Sequence, residues 1–443
     1  MPSDRRLRDP ASPHAAGAGL LSLPAPEGSV DAPEAAAAAF DPRRLALARH
    51  RNGWTKRRLA ELAGLSAAAI TQYELGQARP SAASLNLLAM HLGLPAGYFA
   101  AGRPVLPLAA AEAHFRSLRS TRQYERHQAL ATISHFAELV IVLSRAVRLP
   151  GVSLPAPRLV EDRRSALRSP DTLCKEPAAL VPQGGQGSED SARALRAAWG
   201  LPRGPLPYLL RQIEMHGVAV AVARFGSSEH IAAFSSWPAR LDRPVMCLSA
   251  ERGNVLRRRF SAAHELGHLI LHSQPAPGDA GHEREADRFA AELLMPAGDI
   301  LHLLPRRLDL AQLIELQQQW GVSVQALLRR SQELGTISQS TYKRGMAAIT
   351  DLGWRRQEPA LDYQGEWPAM LSSALDLVRD RGIDENVLAQ GLCLPPAEVA
   401  DLLGLAEGQR PALRLVVAAP QAQASRARSS RSSVRTASLP AER

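Results

Sequence analysis

Two histidines and a glutamate lie close together in the stretch His264-Glu265-Leu266-Gly267-His268. Because His264 and His268 are one helical turn apart, a helix would project both imidazoles from one face, a spacing that suits zinc. Glu265 would lie beside them, where its carboxylate could polarise a water molecule. The neighbouring residues are largely apolar, which is typical of a buried site. The motif therefore predicts a zinc site on a buried helix.

A catalytic zinc site needs a third protein ligand and an open fourth position. The metzincin spacing would place a histidine at position 274, but that residue is Gln274. A second predicted helix, residues 281–294, offers Glu283 and Glu285 instead. These two residues lie about 200° apart around a helix, so only one of them can face the metal. The residues alone leave both open as the third ligand.

The run from His282 to Pro296, taken together with the histidine pair, resembles the ImmA/IrrE-type zinc metallopeptidases. The resemblance covers about residues 190–345 and includes the downstream stretch Trp320–Leu327. It implies an α+β, zincin-like fold of the gluzincin kind. It also implies peptide-bond hydrolysis in which zinc polarises the substrate carbonyl and Glu265 is the general base and later the proton donor.

The same resemblance favours Glu283 over Glu285 as the third ligand. In related gluzincins the ligand glutamate is followed at the third and fourth positions by alanine and aspartate, as Ala286 and Asp287 follow Glu283. Asp287 would then share a face with Glu283 and hold a ligand histidine from behind. His272, one turn beyond the histidine pair, could bind substrate or stabilise an oxyanion, or could be an ordinary histidine at a helix end.

Several predicted elements must position this site. β-type runs at 217–224, 231–237 and 244–249 precede a strong helix at 256–273. One of these strands would supply an edge to which an extended substrate adds by backbone hydrogen bonds. The sequence leaves open which strand that is.

A second motif lies nearer the N-terminus, where residues 55–74 predict a helix, a three-residue turn and another helix. The first helix ends at Gly64, which can take the left-handed conformation, and the second begins after Ser66, a good N-cap. The stretch resembles the Cro/repressor-type (XRE-like) helix-turn-helix family over about 55 residues. The resemblance includes the motif Tyr73-Glu74-x-Gly76-x-x-x-Pro80-Ser81. It implies an all-α DNA-binding domain whose second helix enters the major groove.

The helix-turn-helix resemblance also implies which side chains contact DNA. Four residues of the second helix would face the bases: Ala67, Ala68, Thr71 and Gln72. Three basic residues would hold phosphates and set the register: Lys56, Arg57 and Arg79. Gln72 can pair with adenine, and alanine methyl groups can touch thymine methyl groups. Lys56 departs from the family, which usually has glutamine there. The alternative interpretation is a helical interaction module with a solvated basic face.

Composition narrows the setting of these motifs. The 443 residues suffice for two or three domains, and the net charge of +10 favours a polyanionic partner such as nucleic acid. Cys174, Cys247 and Cys393 are far apart, which argues against a disulfide framework or a thiolate metal site and fits a reducing cytoplasm. No stretch approaches the roughly 18 consecutive apolar residues of a membrane span. We therefore expect a cytoplasmic protein.

The chain divides into seven predicted segments. They are a disordered leader (1–40), the helix-turn-helix domain (41–100), a helical connector (101–149), a linker (150–188), the zinc metallopeptidase domain (189–350), a small all-α C-terminal segment (366–417) and a disordered basic tail (418–443). The C-terminal segment could be a second helix-turn-helix-like element or a helical cap on the peptidase domain.

Together the motifs predict a bacterial transcriptional regulator that binds double-stranded operator DNA. A homodimer is expected, because repressors of this kind read paired half-sites. The second domain could be an active zinc peptidase that cleaves a helix-turn-helix repressor or the chain itself. It could instead be a sensor or oligomerisation module without proteolysis. No membrane partner is expected.

Overall fold

The computed structural model describes most of the chain between residues 32 and 405. The described residues are 32–100, 102, 113–115, 122–155, 187–225, 231–238, 240–250, 254–272, 279–355, 358–359 and 366–405. The predicted leader up to residue 31, residues 156–186 of the predicted linker and the predicted basic tail lie outside them.

The N-terminal region is all-α. Its elements are α1 (Pro33–Ala38), α2 (Pro42–Arg51), α3 (Lys56–Ala63), α4 (Ala67–Glu74), α5 (Ala82–Leu92) and a 3₁₀ turn (Ala96–Phe99). Thr55 caps α3 by accepting a hydrogen bond from the amide of Arg58, and Ser66 caps α4 through the amide of Ala69. Between the two helices Gly64 has φ 64°, a left-handed conformation that costs glycine little. These local signals produce the helix-turn-helix.

Residues 33–40 belong to this region, so the predicted disordered leader is wrong for its last part. Ala36 and Phe40 are buried, and Phe40 forms a β-bridge with Ala100. The run of alanines shows no apolar periodicity, because its residues all have the same small side chain. These methyl groups are nevertheless enough to pack α1 against α5.

The described residues of the connector include a short strand, β1 (Ala113–Phe115), and one long helix, α6 (Gln123–Ala146). The prediction of a helical connector is therefore wrong at β1. Pairing with a strand distant in sequence decides the conformation of β1, and local periodicity does not report such pairing.

By length and composition, α6 is the one helix in the described part of the chain that could cross a membrane. In this fold 72% of its most apolar 18-residue window is buried. The helix packs against α2, against the sheet and against the C-terminal helices. Burial in the protein core accounts for its apolar composition.

A four-stranded sheet joins β1 to three strands that the sequence predicts, β2 (Ala219–Ala223), β3 (Ala233–Ser236) and β4 (Val245–Ser249). The strand order is β1-β3-β4-β2. β2 and β4 are parallel, whereas β3 is antiparallel to both of its neighbours. The register places Ser235 opposite Met246 on one side and opposite His114 on the other.

The remaining helices among the described residues follow the connector. They are α7 (Ser188–Ala198), α8 (Leu209–Met215), α9 (Val255–Leu271), α10 (Ala280–Leu294), α11 (Ala297–Ile300), α12 (Leu310–Trp320), α13 (Val324–Glu333), α14 (Gln339–Asp351), α15 (Met370–Arg379), α16 (Glu385–Leu392) and α17 (Pro396–Leu402). α9 packs against α10, β3 and β4, whereas α15, α16 and α17 contact α6 or β2.

The two faces of the sheet bury different sets of side chains. Because side chains alternate along a strand, Ala219 and Ala221 join a core that contains α6, the helix-turn-helix and the C-terminal helices. Val220 and Val222 join the core that contains α9 and α10. The helix-turn-helix and one face of the sheet therefore share a single hydrophobic core.

A buried ion pair joins the helix-turn-helix to α6. Arg44 of α2 donates a hydrogen bond to Glu138 of α6 over 2.7 Å, and their side chains are 0% and 6% exposed. The Arg44 guanidinium also lies over the ring of Tyr98, 5.2 Å from its centroid. Burial alone would lower the pKa of Arg44, but the charge of Glu138 and the side-chain interactions with Glu138 and Tyr98 outweigh burial and raise it.

A second polar network ties the C-terminal segment to the same helices. The Glu398 carboxylate lies 2.7 Å from Nδ1 of His135 on α6 and 2.7 Å from Nη2 of Arg51 on α2. The other ring nitrogen of His135 hydrogen-bonds the Tyr98 hydroxyl over 2.8 Å. Burial raises the pKa of Glu398, but His135 and Arg51 outweigh burial and lower it to about 2.

The Glu398 network predicts a specific pH dependence of stability. An unfolded glutamate binds its proton near pH 4.5, whereas the folded chain keeps Glu398 ionised down to about pH 2. The folded-state pKa is depressed, so the stabilisation is complete above pH 4.5 and is lost as the pH falls towards 2. We expect Glu398→Gln to lower the free energy of unfolding at pH 7 by about 2 kcal/mol. Urea unfolding of the wild type and of Glu398→Gln from pH 7 to pH 3.5 should show a shrinking difference between their free energies of unfolding. A difference that stays constant would contradict the lowered pKa of Glu398.

Candidate functional site

The predicted zinc motif lies on α9, a buried helix held closely against α10. Asn254 caps α9 by accepting hydrogen bonds from the amides of Leu256 and Arg257. A Cβ at Gly267 would lie 3.0 Å from the ring of Phe289 on α10. A glycine at this position therefore allows the two helices to approach closely enough for side chains on both to meet.

His264, His268 and Glu283 come together where α9 faces α10. Their nearest donor atoms are separated by 3.0 Å between the two Nε2 atoms, 3.5 Å from His264 to Glu283 and 3.6 Å from His268 to Glu283. Tetrahedral zinc with ligands at about 2.1 Å places those ligands about 3.4 Å apart. The two distances to Glu283 end on different oxygens, Oε2 and Oε1, and one candidate ligand atom from each residue lies within 4.8 Å of the others. The three residues are therefore close enough to share one such ion.

Hydrogen bonds behind the histidines decide which ring nitrogens can bind metal. Nδ1 of His264 donates to the Asp287 carboxylate over 2.9 Å. The Glu285 carboxylate accepts from Nε2 of His272 over 2.9 Å, so Nδ1 of a neutral His272 can accept from Nδ1 of His268, also over 2.9 Å. In these tautomers both ligand Nε2 atoms carry lone pairs that point at the same space. A bound cation would satisfy them.

The charge states of the three residues also suit a cation. Burial lowers the pKa of His268 to about 4, with smaller lowering contributions from His264 and His272 and a raising one from Glu283. Burial raises the pKa of Glu283, but protonated forms of His264 and His268 outweigh burial through hydrogen bonds and positive charge and bring it well below its usual range. In the tautomers with unprotonated Nε2 atoms, a bound cation would take the place of those protons. Neutral imidazole and ionised carboxylate are the forms that bind zinc.

Glu285, the alternative ligand of the sequence analysis, faces away from the three donor atoms and towards His272. His272 in turn contacts His268, and its ring stacks on that of His282 at 4.0 Å. His272 is the C-cap residue of α9 and both of its ring nitrogens are hydrogen-bonded, which agrees with its interpretation as an ordinary histidine at a helix end. Its position behind His268 was not part of that interpretation. Its place four residues after His268 was the available signal.

The third ligand can be tested by substitution. We expect Glu283→Gln to weaken zinc binding by at least about 100-fold, because it removes a ligand charge. Asp287→Asn should weaken it about 10- to 100-fold by loosening His264. Glu285→Gln, which acts only through two histidines, should have the smallest effect. Competition with a zinc chelator measures all three; a larger loss in Glu285→Gln than in Glu283→Gln would contradict the assignment.

Glu265 lies beside the three donor atoms and is fully buried. Its Oε2 accepts a hydrogen bond from the Ser235 hydroxyl on β3 over 2.8 Å. Ser235 was not predicted, because nothing in the pattern of a short strand identifies which residue will face a helix 30 positions away. The contact places β3 next to the Glu265 carboxylate.

Arg329 on α13 is another residue that sequence reasoning missed. Its guanidinium lies 3.6 Å from the second oxygen of Asp287 and 2.9 Å from Glu333. Arg329 and His264 thus hold the Asp287 carboxylate from opposite sides. The arrangement restrains the carboxylate that contacts His264.

A cavity of about 370 Å³ adjoins this site. It reaches from Ala232, next to β3, and Ser261, three residues before His264, to Arg329 and Tyr342. Phe260, Ala326 and Met346 supply apolar lining. A side chain of a bound peptide would fit this volume beside the metal-binding residues.

The predicted recognition helix α4 presents most of the residues predicted to face bases to solvent. Ala67, Ala68 and Gln72 are exposed, whereas Thr71 is half-buried and donates a hydrogen bond to the carbonyl of Ala67 over 3.0 Å. The helix is tied to α2 by Glu74, whose two carboxylate oxygens accept hydrogen bonds from Arg49 over 2.6 and 3.0 Å. Glu74 of the motif therefore has a structural role, because it holds α4 against α2.

The three predicted phosphate-binding residues all have partners within the protein. Nζ of Lys56 lies 3.4 Å from Glu74, Nε of Arg57 lies 2.9 Å from Glu61, and Arg79 donates to the carbonyl of Ala38 over 2.9 Å. Arg57 is 85% exposed, so water screens its ion pair strongly. Its guanidinium can be redirected towards a phosphate at little cost.

Comparison with known proteins identifies the two regions independently. Residues 45–99 match the family described as helix-turn-helix, and residues 213–332 match the peptidase family described as IrrE N-terminal-like domain. No curated protein matches the chain. The two matches confirm that an XRE-type helix-turn-helix domain is fused to an ImmA/IrrE-like domain.

Proposed function

We propose that this fusion of helix-turn-helix and IrrE-type domains is a bacterial, cytoplasmic transcriptional regulator with a zinc-dependent, zincin-like peptidase domain of the gluzincin kind. It binds operator DNA as a homodimer and cleaves either a helix-turn-helix repressor or its own chain. The observation that carries the peptidase part is the convergence of His264, His268 and Glu283 on one point beside the buried Glu265.

Zinc bound by the three donor atoms would act as a Lewis acid that polarises the carbonyl of the peptide bond. Glu265 takes a proton from the attacking water and returns it to the leaving amine. Ser235 holds one oxygen of that carboxylate and so fixes its direction. Asp287 and His272 keep the ligand histidines in the tautomers that leave Nε2 unprotonated.

DNA binding is supported by the exposed face of α4 and by the basic residues beside it. We expect Gln72→Ala to weaken binding to the specific operator by about 1–3 kcal/mol while leaving nonspecific binding unchanged. Arg57→Ala should weaken binding to every sequence and reduce the slope of log affinity against log salt by about one. Titrations of labelled operator and random duplex at several salt concentrations separate the two. Equal losses on both duplexes for Gln72→Ala would place it outside base recognition.

A second function, sensing without proteolysis, is favoured by one observation. The sheet that carries β3 shares its core with the helix-turn-helix, so a ligand at the metal site could alter DNA binding without any cleavage. Footprinting on the upstream region of the gene, with and without zinc, distinguishes the two functions. Sensing predicts a zinc-dependent footprint from an intact chain, whereas the peptidase function predicts cleavage products when zinc is present.

A further inference from the structure

The sheet edge beside Glu265 is the natural place for an extended peptide to bind. β3 carries Ser235, which contacts the Glu265 carboxylate, so a peptide paired with β3 would lie next to the reactive groups. One side of β3 is paired with β4, a strand in the centre of the sheet. The opposite side is therefore the only position beside β3 that a substrate strand could take.

That position is filled by the connector. β1 pairs antiparallel with β3 through three residues, with Ala113 opposite Ser236, His114 opposite Ser235 and Phe115 opposite Phe234. The free edge of the sheet on the other side belongs to β2, which is separated from β3 by β4. Strands are about 4.8 Å apart, so a peptide added to β2 would lie two further strand spacings away.

We infer that β1 is an internal occupant of the peptide-binding edge of β3, and that an extended peptide can bind there only after β1 has left it. The class of ligand is an unfolded or extended polypeptide segment, recognised mainly through its backbone. β1 would restrain cleavage only if the domain is a peptidase, so that role rests on the proposed function. The occupancy of the edge by β1 does not.

The length of β1 is consistent with an occupant that can leave. A strand of three residues makes few backbone hydrogen bonds and is marginally stable by itself. Its covalent attachment to the rest of the chain gives it an effective concentration in the millimolar range, well above that of most substrates in solution. The connector therefore competes well against a free peptide while remaining displaceable by a tighter partner.

The test measures peptide binding in a chain that cannot cleave. The zinc-loaded Glu265→Gln protein is titrated into a fluorescein-labelled peptide with the sequence of residues 110–118, Ala-Ala-Glu-Ala-His-Phe-Arg-Ser-Leu. One variant also carries His114→Pro and Phe115→Pro. Because alternate amides of a strand face its partner, two consecutive prolines remove one pairing amide whatever the register. The matched control carries His114→Ala and Phe115→Ala, which retain both amides.

We expect the proline variant to bind the labelled peptide at least about tenfold more tightly than the alanine control. A tenfold change in apparent affinity is expected if β1 occupies the edge in nine of every ten molecules of the alanine control. Equal affinities in the two variants would overturn the inference. Circular dichroism of both variants reports whether the fold survives the substitutions.

A crosslink decides the question even if the proline variant does not fold. Ala113 and Ser236 are directly opposite in the ladder, so Ala113→Cys with Ser236→Cys is suited to a disulfide. The oxidised protein should fail to bind the peptide, and a phosphine reductant should restore binding in the same sample. Oxidised and reduced protein that bind equally would reject the inference. Binding that follows these expectations, together with no cleavage by chains that keep Glu265, would retain the inference and reject the peptidase function.

Discussion

Replacement of Glu265 by glutamine should reduce peptide hydrolysis by about 10²- to 10⁴-fold. The amide has nearly the shape of the carboxylate but cannot take a proton from water. The ligand set of His264, His268 and Glu283 is unchanged, so zinc content should stay at the wild-type level. The footprint on operator DNA should also stay the same.

The measurement follows cleavage of a co-incubated helix-turn-helix repressor and of the chain itself by electrophoresis, with zinc determined on the same samples. Glu315→Gln provides a matched control. It makes the same chemical change at an exposed residue of α12 that belongs neither to the metal-binding cluster nor to the cavity lining. Hydrolysis that survives in Glu265→Gln would exclude the proposed mechanism. Loss of zinc from this variant would assign Glu265 to the ligands instead.

Breaking the buried ion pair between Arg44 and Glu138 should cost about 3–5 kcal/mol of unfolding free energy. Either Arg44→Met or Glu138→Leu leaves an uncompensated charge in the core, where both side chains are almost fully buried. The double variant should recover much of the loss, because neither charge then remains. A net loss in the double variant as large as the sum of the single losses would show that the two residues do not act as a pair.

Urea unfolding followed by circular dichroism measures these changes. Arg57→Met is the control for loss of an arginine from an ion pair at the surface, since its pairing with Glu61 is solvent-exposed. We expect its unfolding curve to match that of the wild type. The contrast would show that burial, rather than the presence of an ion pair, determines the effect.

The features predictable from sequence are those set by local spacing. His264 and His268 lie four residues apart on one helix face. Gly64 ends one helix, and Ser66 caps the start of the next. Each of these signals operates within a few residues. The strands β2 to β4 were also predicted close to their observed bounds, because short apolar runs between turns are distinctive.

The features that could not be predicted are set by pairing across long distances in the chain. Ser235 becomes important only when β3 lies over α9, and β1 exists as a strand only because β3 offers it an edge. The preference for Glu283 rested on family resemblance, and the geometry that separates it from Glu285 arises from the packing of α10 on α9. Such contacts leave no periodic signal.

The shared core has a consequence for any cut in the connector. A nick between α5 and α6 would separate the DNA-binding helices from α6 in the covalent chain, yet Arg44 would still be paired with Glu138 and α2 would still pack on α6. The two fragments would remain associated in solution. Severing the peptide bond is therefore a different event from dissociation, and a regulator built this way needs a second step before its DNA-binding half can leave.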